Sequence, residues 1–262
     1  MAIGRLLITL VISNLTIVSS IMITSLLLVD IGRSFGVPVG IAGQIQTAAF
    51  AMTVAVALLM GALSVRFPHK LLLIFGLLTI VISALGSSVA PNFITILIFY
   101  SLSGIGYGMV GPMTNAIIGE HIPVEKRGSA IGWNIGGQAM AAISVGTVVG
   151  VIGDWRLCFG VYLVSCALLS LLLAFMFLPS TSRRNRTVMS LGKCLQGFRE
   201  IFSNRSAAAC LLGVLILAAS CQVVGVYYGS FFRQRFLLST GTLSIFMIVC
   251  SLIMLGCSLS VD

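Results

Sequence analysis

Eight apolar runs divide the chain, at roughly residues 6–29, 40–64, 70–89, 93–118, 129–152, 157–178, 207–229 and 241–260. Each is close to the twenty or so residues that an α-helix needs to cross a hydrocarbon core. None has the alternating apolar and polar positions of a half-buried strand, and no Asp, Glu, Lys or Arg lies in the interior of any run. Helix breakers punctuate the gaps: Pro38, Pro68, Pro91, Pro123 and the pair Gly153-Asp154. The pattern predicts an all-α membrane protein of eight spans. The first run follows Arg5 and has no small-residue cleavage site near its end, so it reads as a retained span rather than a signal peptide.

Composition supports lipid as the solvent. Hydrophobic residues make up 58% of the 262 and charged residues only 8%, against about 25% charged in soluble domains. The net charge of +9 fits basic loops at a membrane surface. No soluble basic segment interleaved with aromatics exists to carry nucleic acid, so nucleic acid is excluded as a partner. The seven cysteines form no C-x-x-C pair and no metal-ligand spacing. Neither a metal nor another cofactor is expected.

The loops set an orientation. Of the fifteen basic residues, eleven fall on one side of the predicted membrane and four (Arg33, Arg156, Arg233 and Arg235) on the other. The excess of Lys and Arg marks the cytoplasmic side, which places the N-terminus and the polar linker after Pro179 inside, with the chain in the plasma (inner) membrane. In that linker Leu191, Leu195, Phe198, Ile201 and Phe202 recur at helical steps beside basic residues, a pattern that fits either a helix lying on the membrane surface or a short soluble connecting helix. The predicted organisation is a six-span unit (1–178), a basic linker (179–206) and two further spans (207–262).

Glycines recur at four-residue steps from Tyr100 to Phe159: Gly104 and Gly108, then Gly128, Gly132 and Gly136, then Gly146 and Gly150. In lipid, small residues so spaced let helix backbones approach closely. A charged turn from Glu120 to Arg127 joins two such segments into a hairpin.

Six spans followed by a central basic linker resemble the first half of a major facilitator superfamily transporter, a fold of two six-helix halves built from inverted repeats. The turn from Gly61 to Lys70 resembles the family pattern G-x-x-x-D-R/K-x-G-R/K-R/K through Gly61, Arg66 and Lys70, with Val65 in place of the acid that helps latch the halves. In the fourth run Gly104 and Gly106 match R-x-x-Q-G-x-G, with Tyr100 and Ser103 at the arginine and glutamine positions. Glu120, Pro123, Arg127 and Gly128 resemble the turn between spans 4 and 5, and Trp155, Arg156 and Phe159 the entry to span 6. Gly137, Gly146 and Gly150 fit the spacing of the exporter motif G-x8-G-x3-G-P-x-x-G, with Val151 at the proline. The resemblance implies a major-facilitator-like helical bundle, here six spans plus the first two of a second half. These glycines and basic residues would be its packing and conformational positions.

Neutral polar residues supply the candidates for substrate binding. Ser13, Thr16, Ser20 and Thr24 share one helical face of the first run, with Asn14 beside it. Tyr100, Ser103, Tyr107, Gly111 and Thr114 share one in the fourth. Asn134 and Gln138 are one turn apart in the fifth, and Gln222 and Tyr227 lie in the seventh. The resemblance, in which spans 1, 4 and 7 line the central cavity, assigns Asn14, Thr16, Ser20, Tyr107, Thr114, Gln138, Gln222 and Tyr227 to substrate. The alternative for such stripes is interhelical hydrogen bonding. No nucleophile–base pair or metal cluster can be assembled inside the bundle, so no catalytic residue is expected. The resulting expectation is an efflux permease for small uncharged organic solutes, working by alternating access. The competing one is a truncated relative that moves nothing and binds a partner.

The orientation is tested by cysteine labelling in a background without the native cysteines. Ser182→Cys in intact cells is expected to resist a membrane-impermeant maleimide and to react after permeabilisation. Labelling from outside would reverse the orientation.

Overall fold

The computed structural model describes residues 2–179 and 205–259; the linker and its amphipathic stretch lie outside them. Eight helical units, numbered as spans 1 to 8, are seen among these residues, and no strand. Span 1 is Ala2–Leu26 with a tip, Leu28–Phe35. Span 2 is Val39–Ala42 and Gln44–Arg66, and span 3 is His69–Ser88. Span 4 is Phe93–Ser101 and Ser103–His121, and span 5 is Val124–Ile152. Span 6 runs from Trp155 to Phe177 through a π-helical stretch, Cys158–Leu163. Span 7 is Arg205–Arg235 and span 8 Thr240–Leu259. The first seven are long and apolar enough to cross a membrane; the apolar stretch of span 8 among the described residues is the shorter Thr240–Ile253. Even numbers of spans separate the turns at residues 67–68 and 122–123 from the start of span 1, so all three share one face, here the N-terminal face. The turns at 36–38, 89–92, 153–154 and 236–239 make up the distal face.

Several spans extend beyond the apolar runs because caps, not hydropathy, end them. Span 5 starts at Val124, just after Pro123, whose fixed φ suits a helix start. It ends at Gly153, in the left-handed region at φ 66°. Gly36 ends the tip of span 1 in the same way at φ 64°. On span 4, Asn92 caps the first turn by accepting from the Thr95 amide at 2.8 Å.

Glycine contacts hold the first six spans together. A side chain at Gly104 would run into the backbone of Ala49 on span 2. On the other side of span 4, a Cβ at Gly106 would lie 2.7 Å from the carbonyl oxygen of Gly76 on span 3. Span 4 is thus wedged between spans 2 and 3 at backbone distance. Gly137 of span 5 faces Val11 of span 1, and Gly146 and Gly150 face span 8. Two expected packing positions differ: a Cβ at Gly61 or Gly128 would meet nothing within 4 Å, so neither sets a helix contact among the described residues.

Charges fasten the N-terminal face by capping helix ends. Lys70 Nζ donates to the carbonyl oxygens of Phe175 (3.0 Å) and Leu178 (2.6 Å), closing span 6 from span 3. Arg127 donates to the carbonyls of Ile122 (3.1 Å) and Gly119 (2.6 Å) at the end of span 4. His69 Nδ1 meets Glu120 Oε2 at 3.1 Å. The two cations satisfy carbonyls that a helix C-terminus leaves open. Arg66 is exposed. On the distal face Arg156 does the same work, donating to Ser88 (3.1 Å) and Ala90 (2.9 Å) at the end of span 3.

Gly104→Leu is expected to destabilise the bundle by about 3 kcal/mol or more, from overpacking against backbone. Gly61→Leu, on an open surface, is expected to stay within about 0.5 kcal/mol. Thermal unfolding in detergent measures both; equal losses would remove the wedge argument.

Candidate functional site

The hydroxyl stripe of span 1 does not line one cavity. Thr16 Oγ1 lies 2.7 Å from Ser170 Oγ on span 6 and is fully buried there. Ser13 and Thr24 donate to their own helix, to the carbonyls of Thr9 (2.8 Å) and Ser20 (3.0 Å). Ser20 accepts from Tyr107 Oη of span 4 at 2.7 Å, and Tyr100 Oη donates to the Ser20 carbonyl at 3.2 Å. Tyr162 of span 6 joins Ser19 (3.2 Å) and Ser144 (2.7 Å), bridging spans 1 and 5. The physical reason is the solvent. In hydrocarbon a hydroxyl without a partner is costly, so these groups pair between helices inside the six-span bundle. Thr16 therefore pairs with span 6, the interhelical alternative for the stripe, whereas the resemblance assigned it to substrate. Thr114 is fully buried, and its hydroxyl has no hydrogen-bond partner among the described residues.

The polar amides lie differently. Asn14 is eleven residues before Ser25, about 20° apart around a helix, and Ser25 donates to span 7 at the carbonyls of Gly225 and Val226. Asn14 thus sits on the face of span 1 that turns to span 7, where it is buried and its Nδ2 donates to the Leu10 carbonyl at 3.4 Å. Gln138 follows Gly137, which touches span 1, and precedes Gly146, which touches span 8. At 100° per residue it points between those two contacts. The opposite side of span 5 carries Trp133, Met140 and Val151, all exposed to lipid. The Val11–Gly137 contact puts Asn14 and Gln138 within about one helical turn of the same depth. Asn134, one turn before Gln138, is buried, and its Oδ1 has no partner among the described residues.

A cleft separates these walls. Among the described residues, span 7 meets spans 1 and 2 near its distal end, where Val226, Gly229 and Ser230 are buried. From Leu212 to Val224 the apolar residues on every side of span 7 are about 60% exposed. Gln222 is exposed on the same helical face as Val226 and Gly229, one turn below the contact. In span 4, Gly111 lies one turn beyond Tyr107 and has open space in front of it. The space left between span 7 and the first half, which are joined at the distal end by Ser25 and Asp30, is the candidate cleft. Tyr227 is not in it: its ring packs at Gly43, at the break in span 2.

Sequence reasoning missed the residues that close the cleft. Arg233 Nη1 and Nη2 meet the two oxygens of Asp30 at 2.5 and 3.0 Å, joining span 7 to the tip of span 1. A signal was present: Asp30 and Arg233 have opposite signs and stand at the ends of two predicted spans on one membrane side.

The comparisons with known proteins fit this geometry. The family model for the Major Facilitator Superfamily matches residues 9–261. A probable sugar efflux transporter of Helicobacter pylori (strain P12) is 31% identical over 163 residues, which are 61% of this chain and 41% of that protein. The multidrug transporter AQR1 of Candida glabrata is 26% identical over 127 residues, 47% of this chain and 21% of that one. The matched region thus spans less than half the length of these relatives. Among solved structures, the D-xylose-proton symporter superposes with a TM-score of 0.75 at 18% identity, over 98% of this chain and 67% of that one. A bacterial homologue of the human lysosomal transporter Spinster, in an inward-facing and unoccupied conformation, gives 0.70 at 19% identity, over 92% and 58%. Fold and family model agree: the chain belongs to the major facilitator superfamily, a family of membrane transporters and not of enzymes.

Proposed function

We propose that residues 1–178 form the first six-span half of an efflux permease, that 179–206 form its cytoplasmic linker, and that 207–262 begin the second half. The N-terminal face is cytoplasmic and the membrane is the plasma membrane. The carrying observation is the candidate cleft: span 7 meets the first half at the distal face and leaves it toward the N-terminal face, while span 8 stays packed along span 5. That is one of the two states that alternating access requires, open to the inside.

The walls favour small, largely uncharged organic solutes. Asn14, Gln138 and Gln222 offer amide donors and acceptors, and Tyr107 with Ser20 backs the cleft from span 4. A charged solute would need a counter-charge, which no span interior carries. Relatives described as a multidrug transporter and a probable sugar efflux transporter support both the direction and this solute class.

Uptake into proteoliposomes tests the site. Asn14→Leu and Gln138→Leu are each expected to raise the half-saturating solute concentration about tenfold, the loss of one hydrogen bond to the solute. Thr16→Val, which faces Ser170 rather than the cleft, is expected to leave it within about twofold. The opposite pattern, or no movement of any solute among sugars and neutral drugs, would overturn this reading.

A further inference from the structure

Span 6 turns leucine and phenylalanine toward the membrane. Leu168, Leu169, Leu171, Leu172 and Phe175 line a furrow of about 460 Å³, and Leu168, Leu172 and Phe175 are half or more exposed. From Leu168 to Phe175 the helix rises about 10 Å, and it ends at Leu178 on the N-terminal face. The furrow therefore lies within one leaflet, that of the N-terminal face, whose hydrocarbon is about 15 Å deep.

Exposed leucines against lipid are ordinary; the cation at the end of this furrow is not. Lys70, at the start of span 3, holds its ammonium 5.7 Å from the centre of the Phe175 ring and donates to the Phe175 and Leu178 carbonyls. An ammonium has three donors, so these two bonds leave one for a further acceptor. Lys70 is half-buried, and Leu71 and Phe75 beside it on span 3 are exposed. A stem laid along apolar surface with its head at the interface is how a lysine reaches headgroups. On the other side of the helix end, the Arg5 guanidinium stacks 5.5 Å from the Phe177 ring and makes no hydrogen bond among the described residues. Acids that could neutralise the two are scarce. Among the described residues the N-terminal face carries Glu120 and Glu125. Glu120 meets His69 at 3.1 Å, and Glu125 belongs to the first turn of span 5.

We propose that this furrow seats one acyl chain of an anionic phospholipid, whose phosphate accepts a hydrogen bond from the remaining N–H of Lys70. Arg5 adds positive potential beside the headgroup. A zwitterionic lipid brings the same phosphate with an ammonium of its own, which both cations repel, so the site selects a net negative headgroup. Bound there, the lipid braces the junction of spans 3 and 6. The site is independent of which solute the cleft takes, and its test reads lipid and not transport.

The chain is purified in detergent with an equal mixture of phosphatidylglycerol and phosphatidylcholine bearing the same acyl chains, and retained lipid is counted by native mass spectrometry. Phosphatidylglycerol is expected to exceed phosphatidylcholine about tenfold on the singly occupied protein, the effect of one charge-assisted contact. Lys70→Gln is expected to bring the two within about twofold. Lys126→Gln, which removes an exposed cation of the same face, is expected to keep the preference. The preference is a ratio within one sample, so Lys70→Gln can be read even where losing the helix cap lowers stability. Leu172→Trp lies on the lipid side, away from that cap; it fills the furrow and is expected to lower retention of both lipids about fivefold. Glycerophosphoglycerol, the headgroup without chains, is expected to displace nothing in large excess. Equal retention of the two lipids by the unaltered chain, a preference that survives Lys70→Gln, or one lost equally in Lys126→Gln would overturn the anionic site. Unchanged retention in Leu172→Trp, or displacement by the chainless headgroup, would overturn the furrow as the seat of the acyl chain.

Discussion

Hydrocarbon offers no hydrogen bonds, and the arrangement of this bundle follows from that constraint. Most hydroxyls placed in the spans find a partner on their own helix or on a neighbour, with buried Thr114 an exception among the described residues. Thr16 finds Ser170, Ser20 finds Tyr107, and Tyr162 reaches both Ser19 and Ser144. These bonds tie span 1 to spans 4, 5 and 6 and make it the centre of the six-span unit. Glycine then decides how near the other helices come. Gly104, Gly106 and Gly137 remove side chains where backbones meet, so dispersion contacts, which need short distances, supply the attraction that water would otherwise provide.

The same constraint explains what was legible in the chain beforehand. Hydropathy and proline positions locate the seven helices long enough to span and the shorter eighth, because both are local properties. The cleft was only partly legible. A stripe at helical spacing such as Ser13, Thr16, Ser20 and Thr24 shows that polar groups share a face, but not which neighbour that face meets. Here it turns into the bundle. Asn14, beside the stripe rather than in it, is the residue on the side of span 7. The depth match between Asn14 and Gln138 also depends on the Val11–Gly137 contact, a pairing of residues more than a hundred positions apart. Gly61 and Gly128 show the reverse problem. Their motif spacing suits close packing, yet open space faces both.

Charge is kept to the two faces and has a structural use on each. Lys70, Arg127 and Arg156 hold helix ends by donating to carbonyls, and the Asp30–Arg233 pair joins the two parts of the chain across the distal face. The interior is left to amides and hydroxyls. In the proposed function, such a site recognises solutes by shape and hydrogen bonding.

The central claim is that the cleft in this conformation is open to the N-terminal face and sealed from the distal face. Gly111, with open space before it on span 4, gives the most direct measurement. In sealed vesicles of either orientation, Gly111→Cys should react with an impermeant maleimide from the N-terminal face and be protected from the distal face. Faster reaction from the distal face, or equal protection from both, would contradict the account.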